Sequence, residues 1–451
     1  MKVAVVGAGI IGVTTAYELA ADGHEVTVFE RRGSVAAETS FANAGVVAPG
    51  YVTPWAAPGM PKKVIGHLLG RHAPVRVHAG LSTGEIAWMW RWWRACRLRT
   101  YQANRLRMQR LAYFSRERLH RLTRDLKLDY ERSDGYLVLL RTARDHAMAQ
   151  PGLTSLTELN TRFELLDAAQ CRVVEPGLSD ETPLHGGIYL PDDEVGNCRQ
   201  FTTLLRAEAQ RIEVRFRFHT QVQKIVTGSA PQLVHLYSPP EESTVLMNVA
   251  AESAPDGMRD TQPMALHAVT EGFDAVVVCA ALDSAALLRP HGLKLPMQAV
   301  YGYSITAPLR RVEAHGDIGP RSALMDERYK VAISRLGARV RVAGSAEIGG
   351  SAVRHDPKAL ETLYKVLHDW FPGSARLSQA QVWKGARPML PDGPPVIGRS
   401  GIEGVWVNLG HGSSGWALSC GSARLIADSV AGRAPAIDIE GLGVERVLGR
   451  A

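Results

Sequence analysis

KVAVVGAGIIGVTTAYELAADGHEVTVFE, running from Lys2 to Glu30, decides the fold. Lys2 to Val6 is a short apolar run of the kind expected for a strand buried on both faces. GAGIIG follows at Gly7 to Gly12, then a helix-like stretch, then a second apolar strand from Glu25 to Phe29 that ends at the acid Glu30. Strand, glycine turn, helix, strand and acid stand in the order and spacing of a dinucleotide-binding βαβ unit. Gly7 permits the tight turn out of the strand, Gly9 lets the backbone approach a pyrophosphate, and Gly12 lets helix and sheet pack closely. The pyrophosphate would rest on free N–H groups at the helix N-terminus, where the helix dipole favours negative charge. Glu30 can accept hydrogen bonds from ribose hydroxyls and would repel a 2′-phosphate, which argues against NADP. The motif implies an ADP-containing dinucleotide and does not separate FAD from NAD.

Around this unit the chain is an ordinary globular protein. Its 451 residues exceed what one core supports, so two or three domains are expected. The apolar fraction of 45% and the charged fraction of 22% exclude a disordered chain. A formal charge of +7 over this length does not call for nucleic acid; it suits anionic substrates or an anionic membrane surface equally. Cys96, Cys171, Cys198, Cys279 and Cys420 are odd in number and scattered, so neither disulfides nor a zinc site is expected. No histidine pair has metal-ligand spacing, and no metal is expected. The first strand starts at Lys2, with no room before it for a signal peptide, and no run of about twenty apolar residues occurs. The expectation is a cytoplasmic protein, touching the inner face of the cell membrane at most peripherally.

Two further stretches bear on the cofactor. ETSFANAGVVAPGYVTPWAAPG, Glu38 to Gly59, is rich in small and turn-forming residues, so its backbone can come close to a flat ring system. WKGARPMLPDGPPVIG, Trp383 to Gly398, leads to VWVNLGHGSSGWALSCGSARLIADSVAG, Val405 to Gly432. There a strand ends in a glycine-rich turn at Gly410 to Gly415, opening a second helix whose positive dipole end suits a reduced flavin. Between these ends, FTTLLRAEAQRI reads as a helix, VRFRFHTQVQKIV as alternating strands, and Asp274 to Cys279 as a central parallel strand. YGYSITA, YKVAISRL and RVRVAG read as antiparallel strands, with Leu336-Gly337-Ala338 turning the last pair. The stretch from Ser238 to Thr270 reads as a surface loop.

GAGIIG, ETSFANAG, PGYVTPWAAPG, YLPDDEVGNC, YGYSIT, GARPMLPDG and NLGHGSSGW, in this order, resemble the bacterial D-amino acid dehydrogenases and, more broadly, the glycine, sarcosine and D-amino acid oxidase group. The likeness runs from Met1 to about Gly432. It implies an α/β fold in which an FAD-binding Rossmann-like domain (1–84, 186–296 and 382–451) interleaves with an antiparallel-sheet α+β substrate domain (85–185 and 297–381). It implies oxidative deamination: hydride leaves Cα for flavin N5, and electrons pass to a quinone or another carrier. Glycine, sarcosine, proline derivatives or L-amino acids are the alternative substrates, and a non-catalytic flavoprotein subunit is the alternative class. Oligomeric state is left open. Three departures stand out: Tyr301 where a lysine is usual, Cys279-Ala280-Ala281 where a glycine-containing turn is commoner, and the 238–270 insertion.

The resemblance also assigns residues. FAD contacts fall on Gly7, Ala8, Gly9, Ile10, Ile11, Gly12, Glu30 and Arg31, on Thr39, Ser40, Asn43, Ala44 and Gly45, and on Val222, Ala280 and Gly385. The last group is Gly410, His411, Gly412, Ser413, Ser414 and Gly415. Arg387 would bind the substrate carboxylate through its two-pronged guanidinium; the plainer reading is a surface ion pair. Tyr303 and Tyr329 would donate phenolic hydrogen bonds to substrate, or be half-buried core residues. His411 would be a general base or a flavin contact. The Trp-rich EIAWMWRWWRACRLR, from Glu85 to Arg99, reads as a membrane-interface helix or as a cover over the substrate domain.

Overall fold

The computed structural model describes residues 1–67, 70–228, 230–238, 268–312 and 316–448. Lys2–Val6, KVAVV, is buried from Val3 onward and pairs in parallel with Glu25–Phe29 on one side and Ala275–Val278 on the other. Such near-continuous apolar runs are what a strand covered on both faces requires. The sheet extends in one direction through Arg215–Arg217 and in the other through Val405–Leu409 and Val396–Arg399, six strands in all. Its last pair is antiparallel. Helices Ile10–Ala21 and Gly415–Val430 lie side by side, and the 28-residue helix Leu98–Asp125 packs on the second of them.

One buried ion cluster ties these three helices together. The Glu18 carboxylate, fully buried, accepts from Arg118 at 2.6 and 2.8 Å and from Arg424 at 2.9 Å. Each partner comes from a different helix, so the cluster fixes their relative rotation.

A ten-stranded mixed sheet forms the second layer. Its path runs Gln381–Met389, Gln298–Pro308, Arg339–Ile348, Val331–Leu336, Ala323–Asp326, Ser133–Leu140, Gly186–Val195 and Val46–Val47, with Val75–Val77 added beside Arg339–Ile348 and Glu164–Asp167 beside Gly186–Val195. The turn expected at Leu336-Gly337-Ala338 joins the Val331–Leu336 and Arg339–Ile348 strands. Because alternate side chains take opposite faces, the sheet divides its residues cleanly. Tyr303, Ile305, Val331 and Ile333 pack on helix Pro357–Trp370 through Leu363, Val366 and Trp370. On the other face the registers set Ser304, Ala343, Ala332 and Met325 in one row. A small sheet of Thr220–Val226, Gln232–Tyr237 and Val269–Gly272 is hydrogen-bonded to neither and packs on the six-stranded sheet through Val222, Ile225 and Leu233.

Four strands depart from the segments expected of the dinucleotide-binding part. Val46–Val47, Val75–Val77, Gly186–Val195 and Gln381–Met389 hydrogen-bond into the ten-stranded sheet. We propose the two-domain division with these strands assigned to the larger sheet. The loop reading of the 238–270 insertion falls mostly on 239–267, outside the described residues. Among the described residues no helix is long and apolar enough to cross a membrane.

Candidate active site

The six-stranded sheet brings two helix N-termini to the carboxyl ends of its interior strands Lys2–Val6 and Val405–Leu409, neither capped by its own N-cap side chain. Gly9 is the N-cap of Ile10–Ala21, and Ser414, at the start of Gly415–Val430, makes no capping hydrogen bond. Free N–H groups of a helix first turn are a natural anion seat. The turn before the first helix admits only glycine. Gly7 has φ +102°, and a β-carbon there would come within 2.7 Å of the Cys279 carbonyl oxygen and 3.2 Å of the Ala280 Cα. A β-carbon on Gly12 would meet the Gly7 carbonyl oxygen at 1.8 Å. The Ile10 N–H donates to Ser40 Oγ at 3.1 Å, which ties the turn to the next loop.

Glu30 stands at the tip of the second strand. Its carboxylate accepts from the Ala8 N–H at 2.7 Å and the Arg32 N–H at 2.8 Å, and burial raises its pKa. Each oxygen keeps lone pairs for a ribose hydroxyl. Arg31 is neutralised by Glu38 at 2.8 Å and Asp283 at 2.5 Å. Val222 lies nearby, in one core cluster with Phe29, two residues beyond Thr220, whose N–H donates to the Glu30 carbonyl at 2.8 Å.

The 39–45 loop is pinned to the large sheet carbonyl by carbonyl. Ser304 Oγ donates to Ala42 O at 2.8 Å, Arg341 Nη1 to Asn43 O at 3.1 Å, and Ser334 Oγ to Ala44 O at 2.7 Å. Trp416 Nε1 and the Gly196 N–H both donate to Gly45 O, at 3.0 and 2.9 Å. Thr39 Oγ1 donates across to Ala386 O at 2.7 Å, and Asn43 Oδ1 accepts from the Gly45 N–H at 3.0 Å. A loop of small residues is thus held as firmly as a strand. It bridges the two sheets, and Thr39 joins it to the strand that carries Arg387.

Arg387 sits on the same sheet face as Gly302 and Gly385, which oppose each other on neighbouring strands and let larger side chains lie flat on the backbone there. Its Nη1 donates to Ser345 O at 3.0 Å and Tyr301 O at 3.4 Å, and its guanidinium lies 5.5 Å from the centre of the Trp55 ring. Among the described residues Arg387 forms no ion pair, and no hydrogen bond is made by its Nε or Nη2. Burial draws its pKa down to about 10, so it is still a cation at neutral pH. A withdrawn guanidinium with no anion beside it costs stability unless an anion arrives. Trp383 closes one side: its ring covers Gly385, where a β-carbon would lie 1.9 Å from Cη2.

The other candidates for chemistry are not brought to Arg387. Tyr303 faces helix Pro357–Trp370, with its hydroxyl on the Glu347 carboxylate and accepting from the Asp356 N–H at 3.0 Å. Tyr329 lies beyond the Ala323–Asp326 strand, its ring 5.0 Å from the Arg141 guanidinium and 5.6 Å from the Lys365 ammonium. His411 is buried, with Nε2 3.1 Å from Ser422 Oγ, and burial pushes its pKa down to about 3. It is therefore a neutral buried ring, unsuited to accept a proton, while Gly412, Ser413, Ser414 and Gly415 beside it keep contact with solvent. Trp55, Gly302, Ser345 and Trp383 escaped the sequence reading. Their common signal was weak: two glycines facing across a strand pair, visible only once the register is known. Among the described residues no cluster of three or more His, Cys, Asp or Glu could hold a metal.

The Trp-rich helix Thr83–Ala95 begins with a Ser82–Glu85 capping box. Its inner face carries Trp88, buried, whose Nε1–H donates to Met389 O at 2.9 Å, two residues from Arg387. Its outer face shows Trp90 and Trp93, each more than half exposed with ring centres 5.0 Å apart, beside the exposed Ile86, Arg91 and Arg94.

A family model described as FAD dependent oxidoreductase matches residues 2–429. A D-amino acid dehydrogenase of Cereibacter sphaeroides is 42% identical over 450 residues, covering 99% of this chain and 95% of the relative. One of Rhizorhabdus wittichii is 41% identical over 448 residues, covering 99% and 100%. Among solved structures, a glycine oxidase from Geobacillus kaustophilus superposes with a TM-score of 0.72 at 20% identity, covering 99% of this chain and 98% of that one. An L-proline dehydrogenase from P. horikoshii gives 0.70 at 15% identity, covering 100% and 98%.

Proposed function

We propose, on the premise that the chain belongs to the family of FAD-dependent oxidoreductases, that it oxidises D-amino acids to 2-oxo acids and ammonia with Arg387 as carboxylate anchor. FAD is the cofactor of the family and of this enzyme. The observation that carries the reading is the partly buried Arg387 guanidinium, which has no ion-pair partner among the described residues and lies over Gly302, with the Trp383 ring over the neighbouring Gly385.

Gly7 to Gly12 with Glu30, Arg31 and Val222 would hold the ADP half, with Ala280 beside the turn. Thr39 to Gly45, Gly385 and the 410–415 turn would hold the ring system. When bound, FAD supplies the two-electron acceptor for the oxidation. Arg387 Nε and Nη2 take the substrate carboxylate, while Nη1 is already held by backbone carbonyls, so the guanidinium orients as well as attracts. Trp55 and Trp383 wall the site. The neutral substrate amine supplies the electron push as Cα–H is lost, so no side-chain base is required. The imine that leaves the site is hydrolysed by water.

The relatives' names favour D-amino acids, whereas a glycine oxidase and an L-proline dehydrogenase share the fold. An anaerobic titration with D-amino acids, their L-enantiomers, glycine and cyclic imino acids separates these. Bleaching of the flavin band by D-substrates is expected. Bleaching by glycine or L-substrates alone would contradict the assignment.

For reoxidation, we infer a quinone or another carrier reached through peripheral contact with an anionic membrane. Exposed Trp90 and Trp93 beside Arg91 and Arg94 support this, since interfacial helices pair aromatic rings with basic residues. Co-sedimentation with phosphatidylglycerol vesicles should be lost in a Trp90→Ser, Trp93→Ser variant. Equal sedimentation of both proteins would remove this helix from the contact.

A further inference from the structure

We propose that a buried network centred on Glu347, on the sheet face opposite the substrate site, is the device that positions Arg387; this rests on the reading of Arg387 given above. The strands Gln298–Pro308 and Arg339–Ile348 pair Tyr301 with Glu347 and Tyr303 with Gly344. Two residues of one strand, Ser345 and Ala346, therefore oppose the single Gly302 of the other, which is a β-bulge. Ser345 takes up φ +59°, unusual for a residue with a side chain. The two carbonyls at this irregularity, Ser345 O and Tyr301 O, are the ones that receive Arg387 Nη1. The bulge thus sets the direction of the guanidinium.

A strained bulge persists only where its surroundings over-determine it. Here Glu347, at the bulge, carries a side chain only 2% exposed. It receives the Tyr303 hydroxyl from one neighbouring strand and stands 2.8 Å from Lys384 Nζ on the strand beyond. His78 Nε2 lies 2.9 Å from its other oxygen. Lys384 also donates to Ser351 O at 2.7 Å and Arg354 O at 2.9 Å, and its ammonium covers the ring of Tyr301 at 4.6 Å. Lys384 and Arg387 share one strand, so the ion pair clamps the strand of the anchor to the bulge that aims it.

The test compares Glu347→Gln, the double variant Glu347→Gln with Lys384→Met, and Tyr303→Phe, each as purified holoenzyme. Glu347→Gln is expected to keep FAD content and kcat and to raise KM for D-alanine roughly tenfold, the size of one lost charge-assisted hydrogen bond. The double variant removes the unpaired ammonium and should regain thermal stability while KM stays high. Tyr303→Phe should raise KM a fewfold, and it carries the test if Glu347→Gln does not fold. Unchanged KM in the variants that fold, or a KM that recovers together with stability, would overturn the proposal. Arg387→Ala is measured alongside. If it alone raises KM, only the positioning role fails; if it too leaves KM unchanged, the reading of Arg387 has failed first.

Discussion

The Arg387 guanidinium lies against the backbone of Gly302, so closely that a β-carbon there would fall 2.1 Å from Nη2 and 2.4 Å from Cζ. Gly302→Ala must therefore displace a guanidinium that two carbonyls hold in place. We expect the variant to fold with FAD bound and to show KM for amino acid raised roughly tenfold or more, in line with overpacking costs of about 1–3 kcal/mol. Steady-state kinetics checks this; an unchanged KM would mean that the arginine moves freely.

Glu30 accepts two backbone N–H groups while standing at the tip of its strand. Removing the carboxylate in Glu30→Ala takes away the ribose acceptor and loosens the Gly7 to Gly9 turn. FAD affinity should fall roughly 10- to 100-fold, as expected for losing hydrogen bonds to a charged group. Fluorescence titration of the apoprotein with FAD measures it.

The buried cluster of Glu18, Arg118 and Arg424 belongs to stability rather than chemistry. Glu18→Ala strips Arg118 of its carboxylate, while Arg424 keeps Asp22 and Asp428, so the loss should sit near the lower end of the range for broken buried pairs, about 3 kcal/mol. Urea denaturation should show that loss, with KM unchanged in the protein that remains folded.

Much of this architecture was legible because it is local. Lys2 to Glu30 carries its own strand, turn and helix signals, and each element forms where the pattern places it. The face of a strand is not local. Tyr303 and Arg387 lie on adjacent strands, yet alternation across their unbroken register sends them to opposite faces. No spacing in YGYSIT announces that register. His411 shows the same limit: its glycine-rich setting marks the turn, whereas the inward direction of the imidazole, onto Ser422, depends on packing from another part of the helix. Gly186–Val195 joins the larger sheet through partners far away in sequence, Ser133–Leu140 among them, which a segment-by-segment division cannot register.

Asp193 should make stability depend on pH. Burial pushes its carboxyl from an ordinary 3.8 up to about 7, although Arg116 Nη1 stands 2.9 Å from it. Between those values the folded protein holds a proton that the unfolded chain has released, so stability falls as pH rises through the window. Asp193→Asn should flatten that fall. Melting temperatures of both proteins from pH 4 to 8 provide the check, and parallel curves would show that Asp193 is ionised throughout.

The most direct test of the account is an anaerobic titration of wild type and Arg387→Met with D-alanine, following the flavin absorbance. With the carboxylate anchor removed, half-reduction should require at least about 100-fold more substrate, consistent with losing a bidentate charge-assisted contact, while the oxidised spectrum and FAD content match wild type. Half-reduction at the same concentration in both proteins would contradict it and place the substrate carboxylate elsewhere.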